Sequence, residues 1–138
     1  MKRLLNSEYK VKYWLSLDDI YFAINELKEH HDSDPIHIIH EEPLEFVAKI
    51  RCLSSFYGDS VISICAVLIR TLIQDHPLQD GNKRLGVLVG TLFLENNGFE
   101  LVCSDEDLFE VAIALASGNM KREELEDWLG NNIEIIDC

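Results

Sequence analysis

The sequence is short of positive charge. Twelve lysines and arginines stand against 25 aspartates and glutamates, for a formal net charge of −13. Such a surface repels nucleic-acid backbones and anionic membranes, so broad binding to either is not expected. Any anionic ligand must be held by a local positive site working against the overall field. The four cysteines, Cys52, Cys65, Cys103 and Cys138, are scattered and include no Cys-x-x-Cys pair. No disulfide framework is expected, and Cys65 reads as a small core residue. No apolar run approaches the ~20 residues needed to span a bilayer. Residues 1–8 start basic, but no apolar signal stretch comes after them, and a reducing cytoplasmic setting is expected. Repeats, low-complexity tracts and Pro/Gly/Ser-rich linkers are absent as well. One domain over residues 1–138 is expected, long enough to enclose a core.

What remains is mostly helical in pattern. Ser16, with Asp19 three positions on, predicts a capped helix over 17–29 with an apolar stripe of Ile20, Ala23, Ile24 and Leu27. Pro43 suits the first turn of a second helix carrying Leu44, Val47, Ala48 and Ile50. Between them, residues 36–40 are short and isoleucine-rich, a strand or flap. A third helix is predicted from near Asp59 or Ser60 to about Gln74, and a fourth from near Asn82 until Asn96-Asn97-Gly98 stops it. The fourth is apolar nearly all round, which predicts a central, buried position. Gly86 and Gly90 share one side of it, where a neighbouring backbone could approach closely. Ser104-x-x-Asp107 predicts a capped helix over 105–116 closed by Gly118, and a last helix covers about 121–129 with Leu125, Trp128 and Leu129 as its docking face. The expected fold is an all-α bundle around a central buried helix, with a small β-hairpin.

The segment His76-Pro77-Leu78-Gln79-Asp80-Gly81-Asn82-Lys83-Arg84 joins the third and fourth helices. A helix start offers backbone N–H groups and partial positive charge, so it binds phosphate readily. Gly81 allows close approach of a ligand. Lys83 and Arg84 put two cations in a first turn that ordinarily prefers acids, which makes sense if an anion sits among them. His76 can act as a general base, and Asp80 offers a hard oxygen for Mg²⁺. Singly, each has a bland reading: a structural histidine, a helix N-cap, a solvated basic face. Jointly they make a set for phosphoryl or nucleotidyl transfer. A zinc pair of His76 and Asp80 is discounted, because Pro77 and Gly81 break a regular helix there.

This string resembles the signature of the Fic/Doc family, His-Pro-Phe-x-(Asp/Glu)-Gly-Asn-(Gly/Lys)-Arg, and the resemblance runs over about residues 35–130. The Doc (death-on-curing) branch is the nearest. It implies an all-α core with a β-hairpin flap that aligns the target segment, for which residues 36–40 are the candidate. It further implies that His76 deprotonates a protein Ser, Thr or Tyr hydroxyl. Asp80 would hold Mg²⁺, and Gly81, Asn82, Lys83 and Arg84 would surround the phosphates of ATP or another nucleoside triphosphate. Family adenylyltransferases usually have Gly at the position of Lys83 and a second Arg at that of Val87, whereas Doc proteins carry the Lys and lack that Arg. Protein phosphorylation is therefore favoured over AMP transfer, with a non-catalytic, partner-binding protein as a third reading. Leu78 replaces the usual anchoring Phe, and Leu85-Gly86 replaces Thr-Ala, so a weakened enzyme stays open. No convincing Ser/Thr-x-x-x-Glu-Gly/Asn segment of the self-inhibiting kind is found, which implies restraint by a partner antitoxin.

Two other clusters carry less. His30, His31, His37 and His40, with Asp32, Asp34, Glu41 and Glu42, match no zinc spacing and read as a polar loop and flap. Tyr9, Tyr13 and Trp14 read as packing onto the bundle rather than as a partner surface.

Overall fold

The computed structural model describes residues 9–30 and 36–136. Seven α-helices succeed one another there: α1 (Leu17–Glu29), α2 (Glu42–Ala48), α3 (Ser54–Tyr57), α4 (Val61–Gln74), α5 (Asn82–Asn96), α6 (Asp105–Ala116) and α7 (Arg122–Asn132). A 3-10 turn, Ile50–Leu53, precedes α3. Strands β1 (Phe99–Leu101) and β2 (Ile133–Ile135) pair antiparallel, with Glu100 opposite Glu134. The fold is the all-α one expected, with a small two-stranded sheet. That sheet is closed by chain segments on either side of α6 and α7. Residues 36–40, the flap candidate, make a single antiparallel bridge, Ile38 to Leu78.

Local chemistry sets the helix ends. Ser16 Oγ accepts from the Asp19 amide at 3.2 Å, and Asp19 Oδ2 accepts from the Ser16 amide at 2.8 Å, which starts α1 with a reciprocal box. Ser60 and Ser104 cap α4 and α6 the same way from their own side. Helix α5 stops at Asn97, whose side chain accepts from the amides of Lys12 and Tyr13 and donates to the Tyr13 carbonyl. One asparagine therefore ends a helix and pins the incoming chain against it. Tyr9 packs edge-on against Phe99, and Trp14 is half-buried, while Tyr13 stays exposed. On the other side, the Tyr21 hydroxyl donates to Glu41 Oε2 at 2.7 Å and ties α1 to the start of α2. That hydrogen bond, with burial and acidic neighbours adding to it, raises the phenol's pKa.

The most buried helix is α4, with eleven of its fourteen residues buried. The sequence pattern points to α5 instead, of which seven of fifteen residues are buried. The physical reason is that part of the apolar surface of α5, at Val87, Leu88 and Thr91, walls a cavity rather than the core. Gly86 and Gly90 do what their spacing implies. A Cβ on Gly86 would lie 2.7 Å from Ile73 Cγ1 and 3.1 Å from the Ile69 carbonyl oxygen, and one on Gly90 would lie 2.5 Å from Ile69 Cγ1. The thiol of Cys65, fully buried, sits 3.7 Å from the Gly90 carbonyl, and burial pushes its pKa up. It is a core group, as expected.

Gly90→Ala places a methyl where Ile69 already stands. Overpacking of this kind costs about 1–3 kcal/mol, and the better helix propensity of alanine returns about 1. The variant should lose about 1–2 kcal/mol in urea unfolding, and an unchanged or raised midpoint would show that the two helices can move apart freely.

Candidate active site

The chain leaves α4 at Gln74 and enters α5 at Asn82, and both flanking turns need left-handed backbone. His76 has φ 50°, the one non-glycine with positive φ among the described residues, and Gly81 has φ 94°. Glycine takes that conformation freely, whereas a residue with a Cβ pays about 1–2 kcal/mol. Strain at His76 is tolerable because the next residues of the loop are firmly held. Leu78 is 1% exposed, so leucine fills the anchoring role of the usual phenylalanine. Its backbone is clamped from both sides by Asn82, whose Oδ1 accepts from Leu78 N–H at 2.9 Å and whose Nδ2 donates to the Leu78 carbonyl at 2.8 Å. Residues 36–40 run alongside. The amides of Ile39 and His40 donate to the Pro77 carbonyl, and the Gln79 amide donates to the His37 carbonyl.

This clamp also decides a question of protonation. A backbone N–H can meet only the oxygen of the Asn82 amide, and a backbone C=O only its nitrogen, so the side chain has one orientation. The same nitrogen lies 3.3 Å from His76 Nδ1. Having no lone pair to offer, it can only donate, so the neutral imidazole carries its proton on Nε2 in this arrangement. Proton abstraction by Nε2 therefore requires the ring to turn away from Asn82. The His76 side chain is exposed and has room to do so.

Asp80 is exposed, and its Oδ1 accepts from the Gly81 amide at 2.8 Å. It is thus a turn former rather than the N-cap of α5, a place taken by Gly81 with no side-chain hydrogen bond. The Gly81 amide is consumed in this way. The helix start behind it has no side-chain cap, and the first turn carries Lys83 and Arg84, both exposed. The buried side chain of Asn82 is committed to the loop, which leaves only its backbone to face an anion.

His76, Asp80, Gly81, Asn82, Lys83 and Arg84 all line one cavity of about 880 Å³. Its apolar lining is Leu27, Val87, Leu88, Leu108, Phe109 and Ala112, which gives the 62%-exposed Phe109 a place. Two further residues face the same space: Glu26 of α1, unread in the sequence, and His30 at the C-cap of α1, read there only as part of a polar loop. With Glu29, their ligand atoms lie within 4.8 Å of one another. Of the histidine-rich stretch, His37 and His40 lie elsewhere, and His31, Asp32 and Asp34 fall outside the described residues. Thr91-Leu92-Phe93-Leu94-Glu95-Asn96 does match the self-inhibition string formally. Glu95 is exposed, thirteen residues along α5 from Asn82, about 20 Å at 1.5 Å per residue, and so too far to reach the loop.

Together these features define a helical protein that opens one cleft around a histidine-led loop and a basic helix start. The family model of the Fic/DOC family matches residues 14–94, and the chain belongs to that family, whose members are commonly transferases. The match begins ahead of the likeness legible in the sequence and ends at α5. No curated protein matches the sequence.

Asn82→Ala would strip the buried Leu78 N–H and C=O of their partners. Each unsatisfied group costs about 1–3 kcal/mol, so a loss of at least ~2 kcal/mol is expected in urea unfolding, with faster exchange of the Leu78 amide. Native-like exchange at Leu78 would contradict the clamp.

Proposed function

We propose that the protein moves a phosphate-containing group from ATP to a Ser, Thr or Tyr hydroxyl of another protein, and that the group is the γ-phosphate, as in the Doc branch. The observation that carries this is the convergence of His76, Asp80 and the basic start of α5 on one cavity. The triphosphate suits the loop end, where Lys83, Arg84 and backbone N–H groups supply positive charge. The apolar wall suits a base and ribose.

The residues present fit a divalent cation. Three carboxylates (Glu26, Asp80 and Asp105) line the cavity against two cations (Lys83 and Arg84), an imbalance that Mg²⁺ would offset. Asp80 is the oxygen ligand nearest the helix start in sequence, and a single carboxylate completed by phosphate oxygens and water is usual for Mg²⁺. When bound, the ion supplies charge neutralisation on the phosphate oxygens. The chain's own part is positioning and proton transfer. The target hydroxyl oxygen attacks the γ-phosphorus, the bond from that phosphorus to the ADP oxygen breaks, and the hydroxyl proton passes to His76. Lys83 and Arg84 face the charge on the transferring oxygens.

Lys83 and Val87 favour this over AMP transfer. A lysine side chain occupies part of the anion site, and Val87 leaves the cavity wall apolar where adenylyltransferases of the family usually place a second arginine. Restraint of such an enzyme would come from a partner antitoxin, in a cytoplasmic setting. A non-catalytic, partner-binding reading draws on one observation, the Asn82 contact that leaves the His76 proton on Nε2.

The test is parallel labelling of a cell extract with γ- and α-labelled ATP in the presence of Mg²⁺. Label should enter protein from the γ position alone, and His76→Ala should cut it by about 10²–10⁴-fold with the fold intact by circular dichroism. Label from the α position would establish AMP transfer, and none from either would leave the partner-binding reading standing.

A further inference from the structure

A second cleft, of about 630 Å³, lies where the ends of α4 and α6 meet the start of α7. Its charged lining is Arg70, Lys121 and Arg122, with Glu123 the one carboxylate. That is unusual for this chain. The described residues hold ten lysines and arginines, and five of them line either this cleft or the loop cavity. The loop cavity balances its two cations with three carboxylates, whereas this cleft does not balance its three.

Arg70 is the only charged residue of α4 and stands exposed on a helix otherwise given over to the core. Neither Arg70 nor Lys121 has an ion-pair partner among the described residues. Arg122 is held in place from behind. Its Cζ lies 5.4 Å from the centre of the Tyr57 ring, its Nε lies 3.5 Å from Glu126 Oε2, and its Nη2 lies 4.0 Å from Oε1 of Glu123, so the cations left without an ion pair in the cleft are Arg70 and Lys121. That Nε is buried without a hydrogen-bond acceptor, since the Glu126 contact has ion-pair distance but not hydrogen-bond geometry.

We propose that this cleft is an oxyanion-binding site, taking a carboxylate or a phosphate group. Two sources share that chemistry: acidic side chains on a protein partner, or a free phosphate. The site adjoins the loop cavity. Ala116 lines both, and the side chain of Gln74, two residues before His76, fixes the wall between them by donating to the Leu115 carbonyl at 3.0 Å. Two residues of chain span at most about 7 Å, so an acidic segment seated here lies close to the loop. An oxyanion held here does not depend on phosphotransfer at the loop.

The test is an NMR titration of the ¹⁵N-labelled chain at low ionic strength, with inorganic phosphate and, separately, with a pentaglutamate peptide. Both should shift the amides of residues 117–123. The double variant Arg70→Ala/Lys121→Ala should weaken those shifts by about ten-fold or more while leaving any phosphate response at residues 81–84 unchanged. Both side chains are exposed, and unaltered core resonances would show the fold retained; Lys121→Ala alone should give an intermediate loss. Tighter binding of the peptide assigns the oxyanion to a protein partner, and tighter binding of phosphate to a free small anion. Absence of shifts at 117–123, or equal shifts in the double variant, overturns the site.

Discussion

The side chain of Asn82 holds the turn on which the cavity is built. Helices α4 and α5 touch so closely that Gly86 and Gly90 have no room for a Cβ. Helices packed that tightly leave the connecting chain little freedom, and it turns back through two left-handed residues, His76 and Gly81. Strain of this kind persists only when the surroundings over-determine it. The surroundings here are few and specific: burial of Leu78, the double hydrogen bond from Asn82, and the run of residues 36–40 against residues 77–79. Loss of the amide would release the loop from the core and the histidine from its place above the helix start.

How much of this is legible in the sequence depends on which signals are local. Capping residues are local, so α1 from Ser16, α4 from Ser60 and α6 from Ser104 are readable almost to the residue. The glycine pair on α5 is readable as a packing seam because its spacing is helical. By contrast, β1 and β2 pair across more than thirty residues of mostly helical chain, and three-residue strands carry no period of their own. Helix α3 has four residues and a stop at Gly58, too short for any stripe. The six site residues are legible as a string, and they do share one cavity. The commitment of the Asn82 side chain to Leu78 is not legible, since a buried hydrogen bond leaves no mark on composition. Nor are Glu26 and His30, which matter only because α1 lies beside the loop.

Charge is distributed with more purpose than the net value of −13 implies. With acids scattered over the surface, an anionic ligand meets repulsion until it is within about a Debye length of a local positive site, some ~8–10 Å at physiological salt. The two adjoining clefts gather half of the described cations, so they are where the ligands we propose would dwell. The same field that discourages nucleic acid would favour selectivity for small or segmental anions able to enter a cleft.

The contact between Asn82 and His76 bears directly on whether catalysis is feasible. Held as it is, the imidazole presents a donor, not an acceptor, at Nε2. The cost of reversing that is a rotation of an exposed ring and the loss of one long contact at 3.3 Å, together about 1 kcal/mol or a little more. General-base assistance of about 10²–10⁴-fold corresponds to about 3–5 kcal/mol of barrier. The second quantity is larger, so the resting tautomer does not bar the reaction. The hydrogen bond instead gives the histidine a defined parking position, from which a hydroxyl substrate would have to draw it if His76 is the base we propose.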